Sequence, residues 1–459
     1  MNSPFPIERR RFLKTIGTAG ILAPMLTRRL TGSPTTPKLR HASFGCAGMA
    51  AADIRMICSS EHVQLVAAAE VDLNRIQEIK AGYPDVRIYQ DWRELLDKEH
   101  GNIDSVNVST PDHMHALMAM AAMQRGKHVY CQKPLAHDIH EVRRLTEYAK
   151  DRGLTTQMGI QNHSSRQYRQ AVRLVRDGAI GRVREVHLWS NKRWGDSGPP
   201  PASSAPVPAG FDWNLWQGGC AVRDFVGDNY YHPENWRKRL DFGTGTFGDM
   251  GCHIFDPPFE ALALHAPLSV RSEGPPPDSW NWATNAKIHY VFPGTAYTDG
   301  PTVPITWYDG DQRPPAEIQS LVAEKDDLPQ TEKSRKKTKP GLPEQGSLMI
   351  GTDGVMLLPH IESPMLFPLA RFKDHPMPDV EQHSHWDQWV EACLGRDRTS
   401  AAFGYSGPLT ETVLLGSVAV RFPNTTLAWN SADLAFPNHP AANIHLRRTY
   451  RTGWGNAEL

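Results

Sequence analysis

The first third of the chain alternates short apolar runs with amphipathic stretches. The apolar runs predict strands at Leu39–Phe44, Val63–Ala69, Val86–Tyr89, Ser105–Ser109, His128–Cys131 and Thr155–Ile160. The stretches between them predict helices at Met49–Ser59, Leu73–Gly82, Trp92–Glu99, His115–Arg125 and Ile139–Asp151. Because strands and helices alternate on this spacing, residues 38–160 are predicted to form an α/β domain with a doubly wound parallel sheet.

The pattern changes after residue 161. A helix at Gln167–Asp177 and a strand at Val183–Ser190 precede a proline- and tryptophan-rich section, Trp194–Trp236, that has no clear period. Loops of this length often bind substrate or a partner chain. Later strands are predicted at Ala286–Val291, Thr302–Trp307, Ser347–Ile350 and Gly354–Leu358, and helices at His385–Leu394 and Leu409–Val420. Residues 161–459 therefore predict an α+β domain with a large open mixed sheet.

Composition narrows the classes of partner. The 50 Lys and Arg residues balance 50 Asp and Glu residues, which leaves no basic footprint for nucleic acid or a membrane surface. The six cysteines are scattered without ligand-like spacing, and we interpret them as small buried apolar residues. At 459 residues the chain is long enough for two domains and a leader.

Residues 1–37 look like a targeting segment and linker. The segment Arg9–Lys14 consists of three arginines followed by Phe-Leu-Lys. It precedes a short, mildly apolar run, Ile16–Leu26. The pattern resembles a twin-arginine export signal, and the run is shorter than the roughly 20 apolar residues of a stable membrane span. We expect export by the twin-arginine route to the periplasm; the alternative is a basic tail.

A nucleotide-binding turn is predicted after the first strand. Gly45–Ala50 is a degraded G-x-G-x-x-G in which Ala47 and Ala50 replace two glycines, and Gly48 and Met49 lie between them. Small residues there allow close approach of a pyrophosphate. Glu70 ends the second strand, where a carboxylate binds ribose hydroxyls and disfavours a 2′-phosphate. This favours NAD over NADP; the alternative for Glu70 is a solvated acidic turn.

Two further strand ends supply candidate site residues. Ser109, Thr110 and Pro111 make a helix cap whose free amides face any bound ligand. His115 follows them, but no carboxylate–histidine spacing repeats along the chain, so we predict no metal site. Lys133 follows the fifth strand, at the carboxyl edge where open α/β sheets bind ligands.

Asp249 and His253 are candidates for proton transfer. If they lie on one helical turn, their i,i+4 spacing places both side chains on one face. A carboxylate and an imidazole projecting together suit acid–base chemistry. The alternative is a capped helix start with a hydrogen-bonded core histidine.

These motifs together resemble the Gfo/Idh/MocA oxidoreductases. They occur in order: the turn at Gly45, the acid at Glu70, Thr110-Pro111 with His115, Gln132-Lys133-Pro134 in the place of Glu-Lys-Pro, and Asp249-x-Gly251-x-His253. Phe242–Gly245 and Cys252-His253 look like an exported subgroup with twin-arginine leaders. The departures are Gln132, which removes a negative charge beside the lysine, and the two alanines of the glycine turn.

The resemblance implies a function and roles. It implies an N-terminal NAD(P)-binding Rossmann domain and a C-terminal substrate-binding and oligomerisation domain that forms a dimer or tetramer. Hydride would pass between nicotinamide and a secondary hydroxyl or keto carbon of a sugar or cyclitol. The catalytic residues would be Lys133, Asp249 and His253, with Asp249 orienting His253. Cofactor contacts would include Gln132, and substrate contacts would be Gln161, His163 and Trp236.

Two other functions stay open. One is a redox-assisted glycosidase, which oxidises the sugar transiently, eliminates the aglycone and reduces the sugar back. The other is a non-catalytic sugar-binding relative, suggested by the weakened glycine turn. An exported enzyme finds no soluble cofactor pool, so we expect it to hold NAD tightly and to recycle it between an oxidised and a reduced substrate.

Overall fold

In a computed structural model, the chain is described over residues 38–324 and 341–459. The predicted twin-arginine signal in residues 1–37 lies outside the described residues. Export and the periplasmic location therefore stay predictions.

The first sheet has six parallel strands in the order β3-β2-β1-β4-β5-β6. They are β1 Leu39–Phe44, β2 Val63–Ala69, β3 Arg87–Tyr89, β4 Ser105–Val108, β5 His128–Cys131 and β6 Thr156–Met158. This order is that of a doubly wound Rossmann sheet, with the crevice for a ligand at the carboxyl ends of β1 and β4. The predicted N-terminal fold is confirmed.

The helices between these strands are α1 Met49–Ile57, α2 Gln77–Gly82, α3 Trp92–Glu99, α4 Asp112–Gln124 and α5 Ile139–Asp151. Two differ from the sequence prediction. A 3₁₀ turn at Leu73–Arg75 precedes α2. Helix α4 begins at Asp112 because Pro111, with φ of −60°, stands at its N-cap, where its missing N–H removes no helical bond.

The second sheet has eight strands in the order β13-β12-β11-β7-β10-β9-β8-β14. They are β7 Val183–Ser190, β8 Ser269–Glu273, β9 Lys287–Pro293, β10 Thr302–Asp309, β11 Gln345–Gly351, β12 Val355–Pro359, β13 Met365–Phe367 and β14 Thr426–Ala428. Strands β7 and β10 run parallel, and the other neighbours pair antiparallel. The predicted α+β half with a large mixed sheet is confirmed.

The helices of this half are α6 Arg166–Arg176, α7 Trp213–Gln217, α8 Gly245–Ile254, α9 Asp256–Ala261, α10 Ala316–Ser320, α11 Leu369–Phe372, α12 His385–Cys393 and α13 Phe403–Ala419. The sequence missed strands β8, β13 and β14, which are short, and it started α13 at Leu409. Helix α13 runs through Pro408, the residue directly before the predicted start, and begins at Phe403.

Parts of the second half complete the first. Helix α12 packs on α1, and the indole Nε1 of Trp386 donates to Asp53 Oδ1 across 2.9 Å. Near the C-terminus, Arg448 Nε donates to Glu141 Oε1 of α5 across 2.7 Å. The chain after residue 161 thus supports the first sheet and its helices as well as the second sheet. Over residues 38–324 and 341–459, no helix is long and apolar enough to cross a membrane.

Candidate active site

The glycine turn between β1 and α1 leaves open space above a helix N-terminus. Gly45 has φ of +100°, and a Cβ there would lie 2.6 Å from the carbonyl oxygen of Ser109, so glycine is required. Gly48, the N-cap of α1, has φ of +59°, no side-chain capping bond and no atom within 4 Å of an added Cβ. Amides at such an end attract an anion. Ala47 and Met49 line the cleft that opens above this turn.

Glu70 closes the other side of this turn. Its Oε2 accepts from the amide of Cys46 at 2.9 Å, and its Oε1 accepts from the amide of Asp72 at 3.1 Å. Burial raises the pKa of Glu70, and these hydrogen bonds oppose the rise. Each oxygen keeps a second lone pair for a hydroxyl donor. The carboxyl group therefore lies where ribose hydroxyls would meet the turn.

The end of β4 forms the floor of the cleft. Ser109, Thr110 and Pro111 line it, as the sequence predicted, and Ser109 Oγ donates to the buried Asp53 across 2.7 Å. Asp112 also lines the cleft and was missed. Its Oδ2 accepts from the hydroxyl of Thr244 at 2.7 Å, and burial raises the pKa of Asp112.

Lys133 joins the two halves. It follows β5, is linked to Pro134 by a cis peptide bond, and lines the cleft. Its Nζ donates to Asp249 Oδ1 at 2.5 Å and to the carbonyl oxygen of Asp249 at 2.8 Å. Both side chains are largely buried, with 15% and 13% exposed. An ammonium group from the first half is therefore fixed by helix α8 of the second.

Asp249 has a different partner from the one predicted. Besides Lys133, it accepts from Trp194 Nε1 at 2.8 Å and from Arg237 Nε at 3.3 Å, and the described residues include no hydrogen bond from it to His253. Burial alone would raise the pKa of Asp249, but Lys133 and Arg237 outweigh burial and hold it below its ordinary value. The helical spacing was right, but the nearby cations attract the carboxylate away from the imidazole.

His253 lines the same cleft from helix α8. Its Nδ1 is buried, with no hydrogen-bond partner among the residues the structure describes. Burial, and then the charge of Lys133, lower the pKa of His253 well below its ordinary value. The ring is therefore neutral at neutral pH and can accept a proton.

The other predicted residues divide into two groups. Gln132, Gln161 and Trp236 line the cleft. The ring nitrogens of His115 instead lie 2.7 Å from the carbonyl oxygen of Pro134 and 2.8 Å from that of Thr110, behind the cleft. His163 is buried against helix α9, with Nδ1 2.9 Å from Asp256 Oδ1. These two histidines support the walls and are not among the lining residues.

The aromatic-rich section supplies residues that sequence reasoning missed. Arg237 lines the cleft, with its guanidinium 4.3 Å from the ring centroid of Trp236. His232 from this section and Arg75 from the first half line its far end, beside Glu70. The signal for Arg237 and His232 was weak, because the section around them has no period from which to assign a face.

The aromatic-rich section also crosses the first sheet at the residues that follow β2. The amide of Leu73 donates to Gly210 O at 2.9 Å, Asn74 Nδ2 donates to Ala209 O at 2.9 Å, and His232 Nε2 lies 3.2 Å from Asp72 Oδ2. The cleft has a volume of about 350 Å³. The glycine turn, the carboxylate of Glu70 and the crossing section together fit a dinucleotide. Gly45–Met49 would hold its pyrophosphate, and Glu70 would hold its ribose.

Metal-ligating side chains and cysteines are the other reactive groups of the described residues. Within residues 38–324 and 341–459, no three His, Cys, Asp or Glu side chains are grouped to hold a metal ion. All six cysteines are free thiols, and four of them are buried.

Known proteins and solved structures resemble parts of this chain. Residues 39–160 match the Gfo/Idh/MocA oxidoreductase family, described as an NAD-binding Rossmann fold. Levoglucosan dehydrogenase from Pseudarthrobacter phenanthrenivorans is 26% identical over 167 residues, 36% of this chain and 34% of that protein. Myo-inositol 2-dehydrogenase from Thermotoga maritima is 28% identical over 146 residues, 32% of this chain and 42% of that protein. The chain thus spans less than half the length of these relatives.

A further relative and two solved structures extend the likeness. A glycosyl hydrolase family 109 protein from a Shewanella species is 27% identical over 205 residues, 39% of this chain and 44% of that protein. The structure is similar to aldose–aldose oxidoreductase from Caulobacter crescentus, with TM-score 0.56, 17% identity and coverage of 85% and 100%. It is also similar to the WlbA dehydrogenase from Bordetella pertussis, with TM-score 0.58, 14% identity and coverage of 86% and 99%. The family match covers the first sheet and its helices, and the two solved structures show the fold.

Proposed function

We propose that the chain is an NAD-dependent oxidoreductase that transfers hydride between nicotinamide and a secondary hydroxyl or keto carbon of a sugar or cyclitol. The observation that supports it most directly is that Lys133 and His253, from different halves, line the cleft that also contains the glycine turn and Glu70. NAD would supply the hydride acceptor or donor. The dehydrogenases among the relatives favour this substrate class.

The roles of His253, Lys133 and Asp249 follow from the charges of their side chains. Oxidising a secondary alcohol releases a hydroxyl proton, which a neutral imidazole can accept, and the lowered pKa of His253 keeps its ring neutral. The ammonium of Lys133 donates hydrogen bonds to the reacting oxygen as negative charge develops there. Asp249 balances the charge of Lys133 and fixes its position, and is a positioning residue.

Glu70 favours NAD over NADP, because a 2′-phosphate would meet a carboxylate. The crossing section beside Asp72 and Asn74 favours tight retention of the cofactor, since its bonds would have to break before the nucleotide leaves. Tight retention suits an exported enzyme that recycles NAD between two substrates. Twin-arginine export of the chain remains part of this proposal.

A homo-oligomer is also part of the proposal. On the second sheet, Arg271, Lys287 and His289 share one face and are only partly buried. Ile288 and Tyr290, which alternate with Lys287 and His289, point to the other face and are buried in the core. A face with this mixture of polar and partly exposed positions suits contact with a second copy in a dimer or tetramer.

A redox-assisted glycosidase is the second candidate. The observation that favours it is the match to a glycosyl hydrolase family 109 protein, which extends over 205 residues. Release of a free sugar without net change in the cofactor's redox state would favour this reading. A non-catalytic sugar-binding relative is the third candidate, and unchanged ligand processing in both Lys133→Ala and His253→Ala would favour it.

The test has two steps. The purified protein is denatured and the released dinucleotide is identified by mass. A panel of sugars, cyclitols and aryl glycosides is then followed at the nicotinamide absorbance and by product analysis. Bound NAD together with net oxidation of a secondary alcohol supports the proposal; a protein that releases no dinucleotide and takes none up would contradict it.

A further inference from the structure

A second cavity lies outside the cofactor cleft. It has a volume of about 440 Å³ and is formed by the start of α5, the end of α13, the segment before α8 and the C-terminal stretch from Ile444 to Thr449. No described residue lines both cavities. Thr244 connects them, because it lines the second cavity and donates to Asp112 of the first. The second cavity is therefore a separate candidate site.

Its wall contains an arginine without a counter-ion. Over residues 38–324 and 341–459, the guanidinium of Arg421 makes no hydrogen bond and no ion pair, and its nearest described partner is the ring of Trp282, at 5.0 Å. Burial lowers the pKa of Arg421 to about 10. The residue is partly exposed, so its charge is partly solvated, and the described residues provide no anionic partner for it. Arg421 is therefore available to pair with an anion that enters the cavity.

The acidic residues of the same wall do not fill this role. Asp138 accepts from the amides of Glu141 and Arg448, at 2.9 and 3.1 Å. Asp241 is paired with Arg223. The carboxylates near Arg421 are therefore already engaged, and the charge on its guanidinium remains uncompensated.

Two further polar atoms of this wall are unpaired. His137 Nε2 and Ser417 Oγ are buried and have no hydrogen-bond partner in the described part of the chain. Buried polar atoms nearly always have a partner, so an exception points to a ligand or an ordered water. The hydroxyl of Ser417 can donate to an oxyanion, whereas the neutral ring of His137 already bonds the backbone of Leu240.

We propose that this cavity binds a small molecule bearing a carboxylate or phosphate group, with Arg421 pairing the oxyanion and Ser417 donating to it. A guanidinium presents parallel N–H groups that match the two oxygens of such a group. The remaining wall includes apolar side chains, Leu240, Trp282, Leu414 and Val418, so the ligand has a body as well as a charge. The proposal stands independently of hydride transfer.

The test uses the full chain in chloride buffers of constant ionic strength. Its thermal midpoint is followed while inorganic phosphate, glucuronate, glucose 6-phosphate or uncharged glucose is added. We expect a saturable rise with the oxyanions and none with glucose, and the glucuronate and phosphate arms show which oxyanion is preferred. No rise with any oxyanion, or an equal rise with glucose, would overturn the proposal.

Variants locate the effect. Arg421→Gln should weaken oxyanion binding about tenfold or more, the usual cost of losing a charged hydrogen bond. Without ligand its thermal midpoint should stay close to that of the wild type, because among the described residues the guanidinium loses only its contact with the ring of Trp282. Arg398→Gln, at an exposed arginine outside both cavities, is the matched control and should titrate like the wild type. Equal oxyanion affinity in Arg421→Gln and the wild type contradicts the site.

A second variant and a crystallographic measurement test the same site. Should Arg421→Gln fail to fold, Ser417→Ala replaces it, with a smaller loss of affinity expected. Selenate diffused into crystals should give an anomalous peak within hydrogen-bond distance of Arg421. A peak only beside Lys133 and Arg237 would instead assign the anion to the cofactor cleft and overturn the proposal.

Discussion

The side-chain amide of Gln132 donates to the buried carboxylate of Asp53 across 2.8 Å. Ser109 Oγ and Trp386 Nε1 donate to the same carboxylate, at 2.7 and 2.9 Å. Burial raises the pKa of Asp53 to about 6 despite these donors. The glutamine that departs from the Glu-Lys-Pro pattern thus lies against an acid of α1, where a glutamate would be repelled.

Gln132→Glu should therefore destabilise the fold by roughly 2 kcal/mol or more at pH 8, because it places two carboxyl groups together and removes a donor. The loss should shrink towards pH 5, where one carboxyl keeps a proton. Urea unfolding at both pH values measures it. The double variant Gln132→Glu/Asp53→Asn should recover most of the loss, and strictly additive effects would show that the two side chains do not interact.

Lys133→Ala should reduce hydride transfer by roughly two to four orders of magnitude, because the reacting oxygen loses its charged donor. The amount of dinucleotide released on denaturation should stay close to that of the wild type, since the glycine turn and Glu70 are intact. Lys98→Ala, at an exposed lysine of α3, is the control for loss of a positive charge. Wild-type turnover by Lys133→Ala would refute its catalytic role.

His253 should set the acidic limb of the pH–rate profile. Its pKa lies well below 6.5, and only the neutral ring accepts a proton, so alcohol oxidation should stay constant as pH falls from 8 past 6.5 and decline only at lower pH. Steady-state rates across this range measure it. His253→Ala should lose roughly a hundredfold or more in rate and should lose that acidic limb; an unchanged limb in the variant would assign it to another group.

Glu70→Ser should narrow the preference for NAD over NADP by about tenfold or more, since a carboxylate no longer faces the 2′-phosphate and Arg75 remains in the cleft. Binding of both dinucleotides to protein stripped of its cofactor measures the ratio. Glu94→Gln, at an exposed acid of α3, should keep the wild-type ratio. A ratio unchanged in Glu70→Ser would place the ribose elsewhere.

His163 and Asp256 should make stability depend on pH. Burial lowers the pKa of His163, but Asp256 outweighs burial, so the pKa is raised above its ordinary 6.5. The folded state then binds more protons than the unfolded chain just above pH 6.5. The free energy of unfolding should fall as pH rises from about 6.5 through the raised pKa. Denaturant unfolding of His163→Gln should show a flatter dependence there, and Asp256→Asn should flatten it as well; a slope kept by both variants would refute the coupling.

The sequence by itself determined the first sheet and most of the cleft. Strand and helix periods are local, and the carboxyl ends of parallel strands share one edge, so the local pattern alone places Gly45, Glu70, Thr110 and Lys133 together. The spacing of Asp249 and His253 on one helix was also local. These residues lie where their neighbours along the chain direct them.

Only the tertiary structure decided which side chains meet across the fold. Whether Asp249 bonds Lys133 or His253 depends on distances between residues more than a hundred positions apart. The places of His115 and His163, the cover from Trp194–Trp236, and the unpaired Arg421 were equally hidden. Periodicity reports which face of an element is buried, but it holds no information about what another part of the chain brings against that face.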